Sequence, residues 1–457
     1  MASRPTTGPV RQSRRLQGEQ PSNDGLSMMM QQPNTQHPKL KLHSLKLDLQ
    51  MKENDGNDND NDNGNGNDND DGNDDLTIDI ALLSRSQTKV LIHISGTHGV
   101  EGFPGSAIQT SLLQNDTMRA YFDFDHDFDH HHHHQEEEEE DAERLLPTLV
   151  FVHALNPYGF SKLRRFNENN VDLNRNFLFP HEFDKVKAGD PNHVGYVDMM
   201  DFINPTQSLE CSNRFGWDLF FPRALYVIAR HGFHKMKQCI VTGNYHFPKS
   251  LFYGGDKLEQ SHALLKDFLL THLDTEKLEV VGILDVHSGL GKSGFDTIGL
   301  VGVRPEEASE IFGNSEDHLH FADYPEDHEA SGEESSSDHD SDSDSDNDND
   351  NDNDSALSGY DKVAGFVREG LKKQVFSSNT KVYPVTQEFG TLPGILVFKA
   401  MRAENAMYQY DPKNRHPKYS HALRDAFYFD KNPEWKKKVI SRGQEVFNQL
   451  YSHLNRM

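Results

Sequence analysis

Val90-Leu91-Ile92-His93-Ile94-Ser95-Gly96-Thr97-His98-Gly99-Val100-Glu101-Gly102-Phe103-Pro104-Gly105-Ser106 passes from an apolar, β-branched run into a glycine-rich turn and then into a helix start. The pattern is that of a buried strand delivering a tight loop at the edge of a sheet, with Pro104 in the first helical turn. His98 and Glu101 stand three residues apart in that loop. Neutral imidazole and carboxylate are good ligands for a borderline ion such as zinc, and a loop leaving a strand aims both at one point. A lone His-x-x-Glu pair is a weak signal, so its meaning depends on the rest of the chain.

Working outward, Leu278 to Val286 reads as a second buried strand that ends at His287, a candidate third ligand. Two ligands close in sequence and a third far away is the layout of a catalytic zinc that keeps one coordination position open. The stretch from Arg164 to Phe177, with Arg164, Arg165, Asn167, Asp172, Asn174 and Arg175, is too polar for a core. Guanidinium and amide groups together suit recognition of a carboxylate, and a second arginine suits stabilisation of an oxyanion. Asp172 is placed to orient a ligand histidine. Glu388, in Thr386-Gln387-Glu388-Phe389-Gly390-Thr391 at another strand end, is a candidate general base and then acid.

The chain has 457 residues and a formal charge of −27. Three low-complexity tracts, Glu53 to Asp75, Asp123 to Glu143 and Glu316 to Asp354, carry 38 acidic residues and no Lys or Arg. They cannot bury enough apolar surface to offset their ordering entropy and are expected to be disordered, as is a polar tail over 1–38. What remains is mildly basic, which points to an anionic ligand and gives no case for nucleic acid. The expected organisation is one catalytic domain over 39–457, with low-complexity insertions at about 53–75, 123–143 and 316–354. Two cysteines, Cys211 and Cys239, imply no disulfide framework and a reducing compartment, the cytoplasm by default. The arginines of the first 15 residues leave an organelle transit peptide as the alternative. No apolar run is long enough to span a bilayer, so no membrane partner is expected.

Strands and helices alternate. Leu40 to Leu49 and Leu76 to Leu82 read as an antiparallel strand pair, Lys89 to Ile94 as a central strand, and Thr148 to Ala154 as a further buried one. Thr297 to Val303 and Lys381 to Val385 read as extended. Pro104 to Leu113, Trp217 to His231, Ser261 to Leu273, Ser358 to Gln374 and Pro433 to Leu454 read as helical, and Gly394 to Ala403 as mixed. The polar constellations lie where strands end, which is where open α/β sheets bind ligands.

On these motifs the chain resembles the zinc carboxypeptidase-like superfamily, the fold of carboxypeptidase A and of the aspartoacylase-like deacylases. Within it the chain is most similar to an uncharacterised branch known as a domain of unknown function. The resemblance implies an α/β fold, a single three-layer domain with a central mixed β-sheet flanked by helices. It implies one zinc ion on His98, Glu101 and His287, with water activated by Glu388. Arg165 would stabilise the oxyanion, with adjacent Arg164 the other possibility. Asn174 and Arg175 would hold a substrate carboxylate, and Asp172 would support His98. The implied function is a metallocarboxypeptidase-like hydrolase, cleaving an amide bond next to a free carboxylate on a peptide or small molecule. The alternatives are a deacylase of N-acyl amino acids and a non-catalytic binding scaffold. Tyr245 and Tyr253 are candidates for the tyrosine that covers substrate in true carboxypeptidases.

Overall fold

The computed structural model describes residues 40–48, 76–114, 146–192, 194–206, 219–313, 318–322, 363–412, 416–429 and 431–457. The expected tail over 1–38, the first two acidic tracts and most of the third lie outside these residues, as does Cys211.

Eight strands form one sheet: β1 Leu40–Lys46, β2 Thr77–Leu83, β3 Lys89–Ser95, β4 Thr148–His153, β5 Val280–Gly289, β6 Asp296–Val301, β7 Leu319–Ala322 and β8 Lys381–Gly390. Their order is β1-β2-β4-β3-β5-β8-β6-β7. β4, β3, β5 and β8 are parallel, whereas β1, β2 and β6 each join antiparallel to a neighbour, so the sheet is mixed as expected. The helices are α1 Gly102–Gln114, α2 Pro157–Lys162, α3 Pro180–Ala188, α4 Met200–Ile203, α5 Phe220–His231, α6 Phe233–Thr242, α7 Gln260–His272, α8 Pro305–Phe312, α9 Val367–Gln374, α10 Gly394–Tyr410, α11 Pro417–Phe427 and α12 Pro433–Arg456.

The period of two along each strand sorts side chains into two cores. Leu91, Phe151, Leu284 and Val385 face α1, α8 and α12, while Ile92, Val150, Ile283 and Val382 face α7 and α9. This is the expected three-layer arrangement. α12 is capped by Asn432, whose side chain accepts from Trp435 N at 3.0 Å, with Pro433 in the first turn. Its buried stripe, Trp435, Val439, Val446, Phe447, Leu450 and Leu454, keeps helical spacing. Burying each large apolar side chain there stabilises by roughly 1.5–3 kcal/mol relative to exposure.

Three expectations change. Leu319–Ala322, inside the tract expected to be disordered from Glu316, is a strand: its backbone pairs in parallel with β6 and forms one edge of the sheet. The helix expected over Ser358 to Gln374 is confined to Val367–Gln374 among the described residues. Gly365, at φ +82°, crosses the Arg175 backbone so closely that a Cβ would lie 2.5 Å from it. Its carbonyl accepts from Phe177 N at 3.0 Å, which ties the segment to the next layer. The extended run from Lys381 continues through Glu388 to Gly390, because β5 and β6 pair with β8 on both sides.

Candidate metal centre

The loop after β3 turns through a 3-10 segment, Gly99–Glu101, that follows His98 directly. Residues three apart eclipse in a 3-10 turn, so His98 and Glu101 project on one side. Gly99 lets this turn meet α2: a Cβ there would lie 2.0 Å from the Gly159 carbonyl carbon. His287 arrives from β5, and Glu388 is its register partner on β8.

His98, Glu101 and His287 are all buried and converge. His98 Nδ1 is 2.9 Å and His287 Nδ1 3.0 Å from Glu101 Oε2, and the two nitrogens are 3.2 Å apart. Each Nε2 faces a carboxylate, His98 to Asp172 Oδ1 at 3.0 Å and His287 to Asp285 Oδ2 at 2.9 Å. With Nε2–H of each ring donating to its carboxylate, the tautomer that binds a metal, both Nδ1 lone pairs are aimed at one point. Two imidazole nitrogens and a carboxylate oxygen about 3 Å apart match an ion with bonds of about 2.0–2.1 Å. The donor set fits zinc.

Electrostatics follow from this crowding. Burial alone would raise the Glu101 carboxyl, but His98 and Arg165 outweigh it and hold it well below the usual carboxylate range. Asp172 is likewise held low against its burial, by Arg175, Arg165 and His98. Burial opposes protonation of His287, yet Asp285 and then Glu101 push it up to about 10. Glu388 goes the other way: burial, and next the Glu101 charge, push its carboxyl up to about 8. Its Oε1 accepts from Leu290 N at 2.9 Å.

The arginines separate by contact. Arg165 lines the cavity, with Nη1 on Glu101 Oε1 and Nε on Asp172 Oδ2. Arg164 lies elsewhere, with Nε donating to Glu404 Oε1 at 2.8 Å and its guanidinium 3.2 Å from the centre of the Tyr408 ring. Glu404 and Asn405 belong to that buried network. Asn174 and Arg175 also line the cavity. Asn174 Oδ1 accepts from Val367 N at 3.1 Å, which leaves the amide Nδ2 as donor. Arg175 donates to Asp172 and to the Val241 carbonyl. Tyr245 and Tyr253 are not among the lining residues; the Tyr245 hydroxyl donates to the Arg175 carbonyl at 2.8 Å.

Two residues escaped the sequence reading. Asp285 stands two positions before His287, on the same face of β5, so strand periodicity could have found it. Arg368, on the first turn of α9, reaches Thr386 Oγ1 and stacks 4.5 Å from the Phe366 ring centre. No sequence signal linked it to this site. The cavity over the centre measures about 1230 Å³ and is walled largely by apolar side chains such as Phe252, Val397 and Phe398.

The sequence matches the family described as Protein of unknown function (DUF2817) over residues 61–123 and 133–442. The chain belongs to that family. This DUF2817 member is also similar to several solved structures. One is a protein designated a carboxypeptidase from Burkholderia mallei ATCC 23344, at 9% identity, covering 95% of this chain and 67% of that one with a TM-score of 0.38. Another, designated a succinylglutamate desuccinylase/aspartoacylase from Shewanella frigidimarina NCIMB 400, has 13% identity, covering 82% and 72% at a TM-score of 0.30. Thrombin activatable fibrinolysis inhibitor has 10% identity, covering 77% and 69% at a TM-score of 0.32. No curated protein matches the sequence.

Proposed function

We propose that this DUF2817 member is a zinc-dependent hydrolase that cleaves an amide bond next to a free carboxylate. The observation that carries the proposal is the buried triangle of His98 Nδ1, His287 Nδ1 and Glu101 Oε2, with Glu388 in register beside it. His98, Glu101 and His287 would hold the ion, which when bound supplies a Lewis acid that polarises a carbonyl and acidifies water.

The protein's own groups do the rest. Glu388 takes a proton from the attacking water as the new C–O bond forms, then gives it to the departing amine as the C–N bond breaks. Burial and the Glu101 charge raise the Glu388 carboxyl, which favours the proton-giving half of that cycle. Arg165 stabilises the negative charge that gathers on the carbonyl oxygen. The Asn174 amide and the Arg175 charge receive the free carboxylate. Asp172, bonded to His98, Arg165 and Arg175, fixes all three relative to one another.

A cavity of about 1230 Å³ exceeds the roughly 300–1,000 Å³ of most ligand sites and favours a peptide or a bulky acyl group over a small one. The test is metal analysis of the purified protein followed by a screen of C-terminally free peptides and N-acyl amino acids with chelator controls. Stoichiometric zinc and chelator-sensitive cleavage are expected. Zinc near zero after supplementation would remove the premise.

A further inference from the structure

Helices α5 and α6 show the solvent a face unlike the rest of the surface. Among the described residues, Leu219, Phe221, Leu225, Tyr226 and Phe233 supply five of the eleven exposed large apolar side chains. On α5, Phe220, Ala224 and Val227 turn inward, while Phe221, Leu225 and Tyr226 turn outward. Leu225 is 68% exposed and Tyr226 63%, so most of each side chain meets water. The stretch from Phe220 to Thr242 contains Arg223, Arg230, Lys235 and Lys237 and no Asp or Glu. Arg223 and Arg230 are exposed and border the apolar stripe on one side. Lys399 of α10 lies 5.1 Å from the Phe221 ring centre.

An exposed apolar stripe bordered by cations is the design of a helix that lies in a membrane interface. Its apolar side chains enter below the headgroups while Arg and Lys meet anionic phosphates. The geometry points to the α5–α6 face as a docking surface for an anionic lipid bilayer. Charge complementarity selects this occupant. A second copy packed symmetrically on the same face would bring like arginines together, and neither helix has a carboxylate to compensate. No helix of the described residues is long and apolar enough to cross a membrane. The expectation of no membrane partner rested on that point, and surface attachment needs no span. Met236, Lys237 and Ile240 of α6 line the cavity over the metal centre, so docking sets one cavity wall at the membrane.

The test is sedimentation of the full chain with vesicles of phosphatidylcholine alone or with about one third phosphatidylglycerol. Binding to the anionic vesicles should be at least roughly tenfold stronger and should weaken at high salt. Phe221→Ser with Leu225→Ser should remove it, and Arg223→Gln with Arg230→Gln should remove only the preference for anionic lipid. Both pairs are exposed and should melt as the wild type does, and light scattering should give one oligomeric state throughout. The proposal is overturned by wild-type protein that ignores vesicles or binds both kinds equally. It is equally overturned by binding that survives both double variants, or by Phe221→Ser/Leu225→Ser converting a dimer to a monomer with vesicle binding unchanged.

Discussion

His287 and Glu388 are register partners on the adjacent parallel strands β5 and β8, and both line the cavity. A candidate ligand and a candidate base are thereby fixed side by side by backbone hydrogen bonds rather than by a mobile loop. Rigid strands hold such groups more closely than loops do.

Glu388→Gln keeps the size of the side chain and removes its ability to carry a proton. Turnover should fall by roughly 10²–10⁴-fold while zinc stays bound, because Glu388 is not one of the converging ligands. Parallel measurement of rate and metal content checks this. Full activity in the variant would sink the assignment of the base.

Asp285 accepts from His287 Nε2 and from Thr97 Oγ1 at 2.9 Å each. Asp285→Asn should loosen the orientation of His287 and weaken metal affinity by roughly 10–100-fold. Competition against a chelator of known affinity reads the change, and an unaltered affinity would show that Asp285 plays no orienting part.

Asp172 is fully buried and neutralises two guanidiniums, Arg165 and Arg175. Asp172→Ala leaves the buried Arg175 without its carboxylate partner and Arg165 with Glu101 alone, and should cost roughly 3–5 kcal/mol of stability. Urea unfolding measures it. A loss below about 1 kcal/mol, the scale of an exposed ion pair, would contradict the structure.

Stability should also fall in mild acid. Burial pushes His93 and His153 down to about 4 and His262 to about 3, against about 6.5 in an unfolded chain. All three are therefore neutral in the fold at pH 7. Between pH 6.5 and 4 the unfolded chain binds protons that the folded chain refuses, so stability is intact above about 6.5 and drains away as pH falls. Each histidine contributes on the order of 3 kcal/mol to that slope. Neither ring nitrogen of His262 has a hydrogen-bond partner. His262→Leu should flatten the pH dependence between 6.5 and 4 and leave the fold at least as stable at pH 7. An unchanged slope of unfolding free energy against pH would refute this.

The sequence alone determined the layers and named most of the candidate site. Near-continuous apolar runs in Lys89 to Ile94, Thr148 to Ala154 and Leu278 to Val286 named the central strands, since burial on both faces leaves such a run. Residue chemistry picked out His98, Glu101, His287 and Asp172, which hydrogen bonds join in one buried cluster, and Glu388, which lines the same cavity. Spacing cannot report what side chains meet across strands, and there the tertiary structure decided. Arg164 and Arg165 are neighbours in the chain, yet one pairs with Glu404 of α10 and the other with Glu101. Arg368 reaches the cavity only because α9 packs over β8, and Asp285 acquires its partner only when β5 meets the loop after β3. A candidate ligand set is read from residue types, but which arginine lines the cavity depends on contacts between elements far apart in the chain.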